Sequence, residues 1–597
     1  MTNYESYQPT QRFAPFLAMS PNGSELLYSS NASGQYNLAR LRLDGAASTQ
    51  LTRYSDNAVR SAAWAPNGAD IVYTADRDGD EFHQVYRLPA GSDAIALTDG
   101  PQVQFALAED PFSADGRYLV YAGNDRVPTT QDVLVHDLAS GEIRRLVLGD
   151  GFFAAVGFSP DGSQLLAMQM RSNSDSDLLL VDIDSGSSRI ITGHDGEERN
   201  FPGPWAADGT GFWFRTDRDR EFIGLAFYDL ASNTVRTEET PDWDVDDVAY
   251  ASVANRLVWL VNEDGISQLH GRNLADGSSI EFPHIPSGAA SSLRISEDGR
   301  QLAFLLGTAT RPTEAAVVDL GSGTFRYLTD SRPADLPVGV EPTLIRYSSH
   351  DNREIPAWLY RPDGPGPFPV VLSIHGGPDA QELTNYNYSG LYQYLVSSGI
   401  GVLATNVRGS TGYGKTYQKL IHRDWGGGEL GDFDYAVRFL HTLDWVDPAR
   451  IAVYGGSFGG FATLSCISRL PDLWAAAVSI VGPSNLVTFA KAVPPTWRSM
   501  MTSWVGDPYT EADFLLERSP ITYADAIRTP LFVIQGAKDP RVVQAESDQI
   551  VASLRGRGVE VRYDVYPDEG HGFTRRKNEL RAFNDVAEFL IERLTKS

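Results

Sequence analysis

The chain has 597 residues, of which 42% are hydrophobic and 21% charged, and its formal charge is −27 at pH 7. This acidity argues against nucleic acid and anionic lipid as partners, because both attract Lys and Arg. No apolar run approaches the roughly 18 residues of a membrane helix, no signal peptide is visible at the start, and the single cysteine, Cys466, excludes an internal disulfide. We therefore expect a soluble, cytoplasmic protein of two to four domains at roughly 150 residues each.

A turn signal recurs through the first half of the chain, each time after an apolar run typical of a strand. Its Asn-Gly or Asp-Gly pair supplies the positive φ angles of tight hairpin turns, although the sixth copy, Ser252-Val253-Ala254-Asn255, has lost the glycine. Successive copies start 44 to 48 residues apart, and short strands such as 71–73 and 118–121 follow them. Four short strands at this period predict a β-propeller, and seven copies predict seven blades. The copies begin at Ser20, Ala65, Ser113, Ser159, Ala206, Ser252 and Ser296.

The charge is unevenly distributed along the chain. Residues 1–330 contain 47 acidic and 24 basic residues, a net charge of −23, whereas residues 331–597 have a net charge of −4 and all six lysines. Such a shift predicts two domains with different surfaces. We expect an all-β seven-bladed propeller over 1–335, with its first residues as a candidate arm onto the second domain, and a catalytic domain over 336–597. A stack of two-sheet sandwiches is the alternative for the first half, and one regular period over roughly 320 residues disfavours it.

Beyond about residue 342, short apolar strands alternate with helix-like segments. The runs are almost continuously apolar, which is typical of strands buried on both faces of a mostly parallel sheet with crossover helices. The predicted strands are 369–374, 400–405, 451–454, 476–480, 531–534 and 561–565, and the predicted helices include 432–442 and 544–554.

The predicted strand 451–454 runs into Gly455-Gly456-Ser457-Phe458-Gly459-Gly460 and then into a helix. A G-x-S-x-G motif in this context is typical of an α/β-hydrolase, where the sharp turn exposes a nucleophilic serine above the sheet. Such a serine needs a base, and in this fold an acid and a histidine follow it in that order. Asp539 comes just after strand 531–534, and His571, the only histidine downstream of Ser457, follows strand 561–565.

These positions predict a catalytic triad of Ser457, Asp539 and His571. Asp568 and Glu569 are rival acids, although their closeness to His571 in sequence favours a role in shaping its loop. The oxyanion of the tetrahedral intermediate needs two donors. We expect the backbone N–H of Phe458, the residue after the nucleophile, and that of Gly377 in the His375-Gly376-Gly377-Pro378 loop.

Two further motifs suggest other chemistry. Gly409-Ser410-Thr411-Gly412-Tyr413-Gly414-Lys415-Thr416 fits the phosphate-binding P-loop pattern, but no downstream strand ends in the required Asp, and Tyr413 is bulky for such a loop. Asp76-Arg77-Asp78-Gly79-Asp80-Glu81 is similar to a calcium loop, but Glu81 stands where glycine is needed. We therefore predict neither a metal nor another cofactor.

Taken together, the motifs resemble those of the prolyl oligopeptidase family of serine peptidases, in which a seven-bladed propeller precedes an α/β-hydrolase domain. The resemblance covers essentially the whole chain. The His-Gly-Gly-Pro loop at 375–378 is most similar to that of the acylaminoacyl-peptidase branch, and the P-loop-like run matches the family's own Arg-Gly-Ser-x-Gly-Tyr-Gly loop. The other shared motifs are Gly455–Gly460, Asp539-Pro540-Arg541-Val542 and Gly570-His571-Gly572.

The resemblance also implies substrate contacts. In the acylaminoacyl branch the arginine two residues after the catalytic aspartate, here Arg541, faces the substrate and pairs with a propeller glutamate, here Glu81; a purely structural ion pair is the alternative. An apolar segment that contains Trp497 and Trp504 is expected either to line the substrate pocket or to pack in the core. No clear paired-glutamate anchor for a free N-terminus is visible, since Glu197-Glu198 and Glu238-Glu239 qualify only by adjacency.

We thus expect a serine peptidase that hydrolyses short peptides and releases an acylated or free N-terminal residue. One alternative is a serine esterase or amidase, because the same triad serves both chemistries. Another is a dipeptidyl-peptidase or carboxypeptidase-like oligopeptidase of the same family, and a third is a catalytically inactive propeller scaffold. The sequence leaves open the oligomeric state, with a homo-oligomer as one option, and the route by which substrate enters.

Overall fold

The computed structural model of the chain describes residues 3–45 and 47–595. Its N-terminal part is built from short strands that follow one another as antiparallel meanders. In chain order these strands are β1 Ala18–Met19, β2 Glu25–Ser30, β3 Asn37–Arg42, β4 Thr49–Gln50, β5 Asn57–Trp64, β6 Ile71–Arg77, β7 Gln84–Leu88, β8 Ile95–Ala96, β9 Phe105–Phe112, β10 Tyr118–Gly123, β11 Asp132–Asp137, β12 Ile143–Val147, β13 Phe152–Phe158, β14 Gln164–Ser172, β15 Asp175–Asp182, β16 Ser188–Ile190, β17 Asn200–Trp205, β18 Gly211–Thr216, β19 Gly224–Asp229, β20 Thr234–Glu239, β21 Asp244–Ala251, β22 Arg256–Glu263, β23 Ile266–Asn273, β24 Ala289–Ile295, β25 Gln301–Gly307, β26 Glu314–Asp319 and β27 Thr324–Tyr327.

These strands form the sheets of a β-propeller. Strands β1–β4, β5–β8, β17–β20 and β24–β27 each make a four-stranded sheet in chain order, and β9–β16 make one eight-stranded sheet. Strands β21–β23 form a three-stranded sheet, so the expectation of four strands in every unit is wrong for the sixth. There an isolated bridge between Arg272 and Ser279 lies where a fourth strand would pair.

The recurring turns adopt the conformation that their sequence predicts. Their glycines have φ between 65° and 72°. In the degraded sixth copy Asn255 takes the same place with φ 50°, because asparagine tolerates the left-handed region better than most residues. The glycines are Gly23, Gly68, Gly116, Gly162, Gly209 and Gly299.

The C-terminal part is a mixed sheet with helices on both faces. Its strands are β28 Thr343–Ser348, β29 Glu354–Tyr360, β30 Phe368–Ile374, β31 Gly401–Thr405, β32 Val446–Gly456, β33 Ala476–Ile480, β34 Leu531–Gly536 and β35 Val561–Tyr566. Its helices are α1 Leu391–Ser397, α2 Lys415–Lys419, α3 Gly428–Leu440, α4 Phe458–Arg469, α5 Leu486–Ala492, α6 Arg498–Trp504, α7 Ala512–Arg518, α8 Gln544–Gly556 and α9 Arg576–Thr595. Short 3₁₀ helices lie at Tyr4–Tyr7, Asn387–Gly390, Pro495–Trp497 and Pro520–Ala526.

The strand order of this sheet is β28-β29-β31-β30-β32-β33-β34-β35, and the pairs from β31 to β35 are all parallel. Buried side chains fill both faces: one core includes residues of α3, α4 and α8, and the other includes residues of α1 and α9. All six strands predicted for this half are present. Parallel strands point their carboxyl ends to one edge, so the loops after β30, β32, β34 and β35 meet there.

Two strands of this sheet escape the sequence prediction. Strands β28 and β29 pair antiparallel at the edge of the sheet, and β28 is half-exposed. Its sequence, Thr-Leu-Ile-Arg-Tyr-Ser, lacks the continuous apolar run by which the other strands were found. No helix in the described ranges is long and apolar enough to cross a membrane.

Candidate active site

Ser457 lies at the turn between β32 and α4. Its backbone has φ 58° and ψ −119°, a region that a serine adopts only when the surrounding structure enforces it. The turn packs closely against the end of β30 because Gly459 has no side chain. A Cβ atom there would lie 2.1 Å from the carbonyl oxygen of Ile374. The glycines around Ser457 therefore let helix α4 pack directly against β30 and hold the serine above the sheet.

The structure brings the three predicted triad residues together at the edge where the parallel strands end. His571 Nε2 lies 2.9 Å from Ser457 Oγ, and His571 Nδ1 lies 2.8 Å from Asp539 Oδ2. The second oxygen of Asp539 accepts the backbone N–H groups of Arg541 and Val542 at 2.8 and 2.9 Å. The Asp539 side chain is completely buried, so its carboxylate is held on both sides and faces the imidazole.

The rival acids lie elsewhere around the histidine loop. Glu569 accepts the backbone N–H groups of Thr574 and Arg575, and Asp568 pairs with Arg575 at 3.3 Å. Both carboxylates thus hold the chain that follows His571. Neither of them is a hydrogen-bond partner of the imidazole in the described structure.

The two predicted oxyanion donors belong to residues that line the same cavity as Ser457. Phe458 begins helix α4, and Gly377 has φ 117° in the loop after β30. His375, at the start of that loop, is buried and hydrogen-bonded to Ser410 at 2.9 Å. Within the described residues, the hydrogen bonds include none from the Phe458 or Gly377 N–H, so both are free to bind a substrate oxygen.

A cavity of about 710 Å³ lies between the propeller and the hydrolase sheet and reaches Ser457 and His571. This volume is within the range of small-molecule sites. Its wall near the serine is aromatic: Trp425 packs edge-on against Phe458 and Trp504, with centroids 5.0 and 5.2 Å away. Phe489 and Trp497 complete this wall.

The apolar segment after β33 was expected either to line the substrate pocket or to pack in the core, and its residues do both. Phe489, Trp497 and Trp504 line the cavity, as the pocket hypothesis requires. Met501 and Val505 are each 1% exposed and belong to the core of the hydrolase sheet. Cys466 is fully buried on α4, where it packs as a small apolar residue.

Arg541 and Glu81 form the expected pair across the two parts of the chain. Arg541 Nε lies 2.8 Å from Glu81 Oε1, and the guanidinium stands 5.3 Å from the centre of the Trp497 ring. Arg541 lines the cavity, whereas Glu81 does not line it and binds the guanidinium of Arg541. The same propeller turn packs on the histidine loop, since a Cβ on Gly570 would lie 1.9 Å from the Gly79 carbonyl oxygen.

Acidic side chains of the propeller also line the cavity, and no motif in the sequence predicts them. Asp246, on the inner strand β21, is exposed to it. Its partial desolvation between the two parts of the molecule, together with the nearby charge of Asp244, raises the pKa of Asp246 to about 7. Among the described residues its carboxylate forms no ion pair, although the Arg215 charge and a hydrogen bond with Asn262 counteract the rise of its pKa; Arg215 donates to its backbone oxygen.

The two pairs of adjacent glutamates lie outside this cavity. Glu197 pairs with Lys419 on α2, and Glu198 accepts a hydrogen bond from Asn200 at 3.1 Å. Glu238 and Glu239 both pair with Arg272 on the neighbouring sheet. Their side chains therefore bind other residues of the chain.

The P-loop-like and calcium-loop-like segments are occupied by the protein's own side chains. Glu221 of the propeller accepts the backbone N–H of Thr416 at 2.6 Å, at the place where a P-loop would hold phosphate. In the other loop Asp76 binds Arg60, and Asp78 binds Arg575 at 2.6 Å. Within the described ranges no cluster of three or more His, Cys, Asp or Glu side chains could hold a metal ion.

This chain is similar to known serine peptidases over most of its length. The model of the prolyl oligopeptidase family matches residues 386–597. Dipeptidyl aminopeptidase BIII of Pseudoxanthomonas mexicana is 32% identical, and the alignment covers 96% of this chain and 85% of that protein. The acylamino-acid-releasing enzyme of Arabidopsis thaliana is 30% identical over only 37% of this chain and 29% of that enzyme.

The fold has close counterparts among solved structures. A puromycin-hydrolysing peptidase of Mycobacterium tuberculosis superposes with a TM-score of 0.86 at 22% identity, covering 100% of this chain and 96% of that one. The similarity of fold therefore extends over both the propeller and the hydrolase sheet.

Proposed function

The chain belongs to the prolyl oligopeptidase family of serine peptidases, and from that premise we propose that it is an exopeptidase acting on short peptides with a free N-terminus. One observation carries the proposal: the hydrogen-bonded Ser457, His571 and Asp539 open into a cavity of about 710 Å³ enclosed by two parts of the chain. Folded proteins do not fit such a space, whereas a short peptide does.

The chemistry assigned to the triad follows from its hydrogen bonds. His571 Nε2 removes the proton of Ser457 Oγ as the oxygen attacks the scissile carbonyl, and then gives it to the leaving amine. Asp539, linked to Nδ1, keeps the imidazole oriented and stabilises the imidazolium that forms. The N–H groups of Phe458 and Gly377 stabilise the developing oxyanion, and water then hydrolyses the acyl-enzyme by the same steps in reverse.

The aromatic wall beside Ser457 is the proposed pocket for the residue whose carbonyl is attacked. Trp425, Phe489, Trp497 and Trp504 present flat apolar faces, which favour an aromatic or large aliphatic side chain. Arg541, held by Glu81, offers planar donors for a peptide carbonyl next to this pocket. We assign these residues to substrate binding.

A free α-amine is the preferred end group because the propeller side of the cavity carries the Asp246 carboxylate, which forms no ion pair among the described residues. A bound ammonium would form an ion pair with Asp246, in addition to the Arg215 charge and the hydrogen bond with Asn262 that already favour the ionised carboxylate. An acetylated N-terminus would bring no charge. The relative aligned over 96% of this chain, named as a dipeptidyl aminopeptidase, supports release of a dipeptide, while the acylamino-acid-releasing enzyme aligns over 37%.

For the architecture we propose seven blades, with the propeller at 1–335 and the hydrolase domain at 336–597. The eight-stranded sheet counts as two blades because β9 and β13 share only one parallel register pair, Gly157 with Asp110. The first residues support an arm across the boundary, since Tyr4 Oη donates to the Ser389 carbonyl oxygen at 3.1 Å. Location in the cytoplasm and oligomeric state stay predictions from the sequence.

A matched substrate panel tests the proposal. The wild-type enzyme is assayed on p-nitroanilides of one dipeptide with a free amine, the same dipeptide acetylated, and its single C-terminal residue, together with a p-nitrophenyl ester. Highest kcat/KM on the free dipeptide, with the dipeptide as the released product by mass spectrometry, is expected. Fast ester turnover with negligible peptide cleavage would refute the peptidase proposal, and preference for the acetylated dipeptide would identify an acylaminoacyl peptidase instead.

A further inference from the structure

Asp379 occupies an unusual position, two residues after Gly377 in the loop that follows β30. Its side chain is 9% exposed and lines the cavity. Four donors converge on its two oxygens: Gln418 Nε2 at 2.8 Å and His422 Nε2 at 3.1 Å on Oδ1, and Trp504 Nε1 at 2.6 Å and Asn173 Nδ2 at 3.1 Å on Oδ2.

The four donors come from separate parts of the site. Trp504 ends α6 and forms the aromatic wall, while Gln418 and His422 belong to α2 and the turn after it. Asn173 lies in the propeller, in the turn between β14 and β15. One carboxylate thus joins the loop of the proposed oxyanion donor, the wall of the proposed substrate pocket and the propeller.

Asp379 is also unsuited to binding substrate itself. A carboxylate accepts about four hydrogen bonds, and this one already has four. Burial would raise the pKa of Asp379, but the hydrogen bonds from His422, Gln418 and Asn173 outweigh it and hold the pKa below its usual value. The group therefore stays ionised with every acceptor position filled.

We propose that Asp379 is a positioning residue, through which docking of the propeller fixes both the oxyanion loop and the Trp504 wall. The proposal rests on the roles given above to Gly377 and Trp504. Asp379 makes no contact with the reacting atoms; it acts by holding groups that do. Withdrawal of Asn173 from the carboxylate would leave Trp504 and the loop less firmly placed.

Asp379→Asn tests this proposal, because it hardly changes the shape of the side chain. It does, however, place an amide NH₂ group against two of the N–H donors. We expect kcat to fall about 10- to 100-fold, the scale of a small misplacement of catalytic groups. KM should rise for substrates with an aromatic residue in the pocket. Rates are expressed per active site, titrated to completion with a fluorophosphonate, so that partial misfolding does not contribute. Unchanged kcat and KM per titrated site would overturn the proposal.

A second variant tests the link to the propeller. Asn173→Ala should also lower kcat, by about two- to tenfold, because the hydrogen bond from Asn173 to Asp379 is lost. The control is Arg346→Gln, which removes an ion pair between the two parts, with Asp264 at 2.6 Å, and alters neither Asp379 nor any of its four donors. Equal losses in both variants would mean that docking in general matters and not Asp379. Failure of Ser457→Ala to abolish turnover would instead refute the proposed function.

The contacts between the propeller and the hydrolase domain indicate where substrate reaches the cavity. The turns between the second and third strands of the propeller units bind the hydrolase domain at six places. These contacts are Asn31 with Glu579, Asp78 with Arg575, Asn173 with Asp379, Glu221 with Thr416, Asp264 with Arg346 and the Ala309 carbonyl with Gln393.

The turn between β10 and β11, residues 124–131, is the exception. Among the described residues its hydrogen bonds and ion pairs stay within the propeller, as between Arg126 and Asp132, and Asp125, Pro128 and Thr129 are exposed. The cavity is lined by Asn173 of the following propeller unit and by Arg541, which pairs with Glu81 of the preceding unit. We infer that the gap over this turn is the side entrance for peptides.

Blocking the gap tests this inference. Thr129→Cys is modified with a maleimide carrying a polyethylene glycol chain, and the native Cys466 is fully buried and does not compete. The control is Val253→Cys, 75% exposed in the turn between β21 and β22 at the opposite end of the propeller. We expect modification at 129 to lower kcat/KM for a tetrapeptide at least about fivefold, as for a closed lid. An unchanged kcat/KM after modification at position 129, or a decrease only after modification at position 253, would overturn the inference of a side entrance.

Discussion

The hydrolase domain and the propeller contribute to the site in different ways. Ser457, Asp539 and His571 each follow one of the parallel strands of the same sheet, so the fold alone brings them to a common edge. The propeller contributes Glu81, which the resemblance implied, and Asp246, which no motif marks, and the two come from different repeats. The proposed catalytic residues therefore belong to local sequence patterns in the second half, whereas the residues proposed to select substrate lie at repeat positions that only the assembled propeller brings together.

Removal of the nucleophile tests the chemical half of this comparison. Ser457→Ala should lower kcat on a peptide p-nitroanilide by about 10⁶-fold, because the covalent route is lost. Peptide binding should remain, as measured by calorimetry, since the cavity is unaltered. Ser397→Ala, at an exposed serine on α1, is the control. Retained turnover in Ser457→Ala would exclude this residue as the nucleophile.

The acid of the triad gives the next largest effect. Asp539→Asn should lower kcat by about 10⁴-fold, because an amide favours the wrong tautomer of His571. Asp568→Asn is the matched control, since the sequence leaves Asp568 as a rival acid and the structure pairs it with Arg575. Comparable losses in the two variants would contradict the assignment of Asp539.

How much of this site follows from the sequence depends on whether a residue belongs to a local pattern. The triad follows from strand ends and chain order, and the repeat of the turns predicts the propeller. Asp379 and Asp246 could not be predicted, because their roles depend on partners more than a hundred residues away, such as Trp504, or on an enclosed space. Strand β28 was missed because its half-exposed edge position removes the apolar run.

The contact between the two domains should give a much smaller effect than the triad. Glu81→Gln leaves Arg541 without its charged partner, and this arginine is 41% exposed, so solvent screens the loss. We expect KM to rise about two- to fivefold with little change in kcat. Arg346→Gln serves as the interdomain control. A loss confined to kcat would contradict a role of this pair in substrate binding.

The acidity of the propeller should give the smallest effect. Asp110 and Asp246 lie on inner strands, and enclosure raises the pKa of Asp110 to about 6. A negative interior favours peptides that contain Lys or Arg. Their advantage in kcat/KM over neutral peptides should shrink about twofold as salt rises from roughly 0.05 to 0.5 M, because screening strengthens. A preference that does not depend on salt would show that the charge of the propeller plays no part in substrate selection.

Asp246→Asn, assayed on one dipeptide p-nitroanilide with a free and with an acetylated amine, tests whether the propeller selects the free α-amine. The variant should raise KM about tenfold for the free amine alone, the scale of a hydrogen bond to a charged group. The wild type should show the same selective rise as pH falls below 7, where Asp246 becomes neutral because its pKa is raised to about 7. Equal KM changes for the two substrates, or none for either, would contradict the assignment of substrate selection to the propeller.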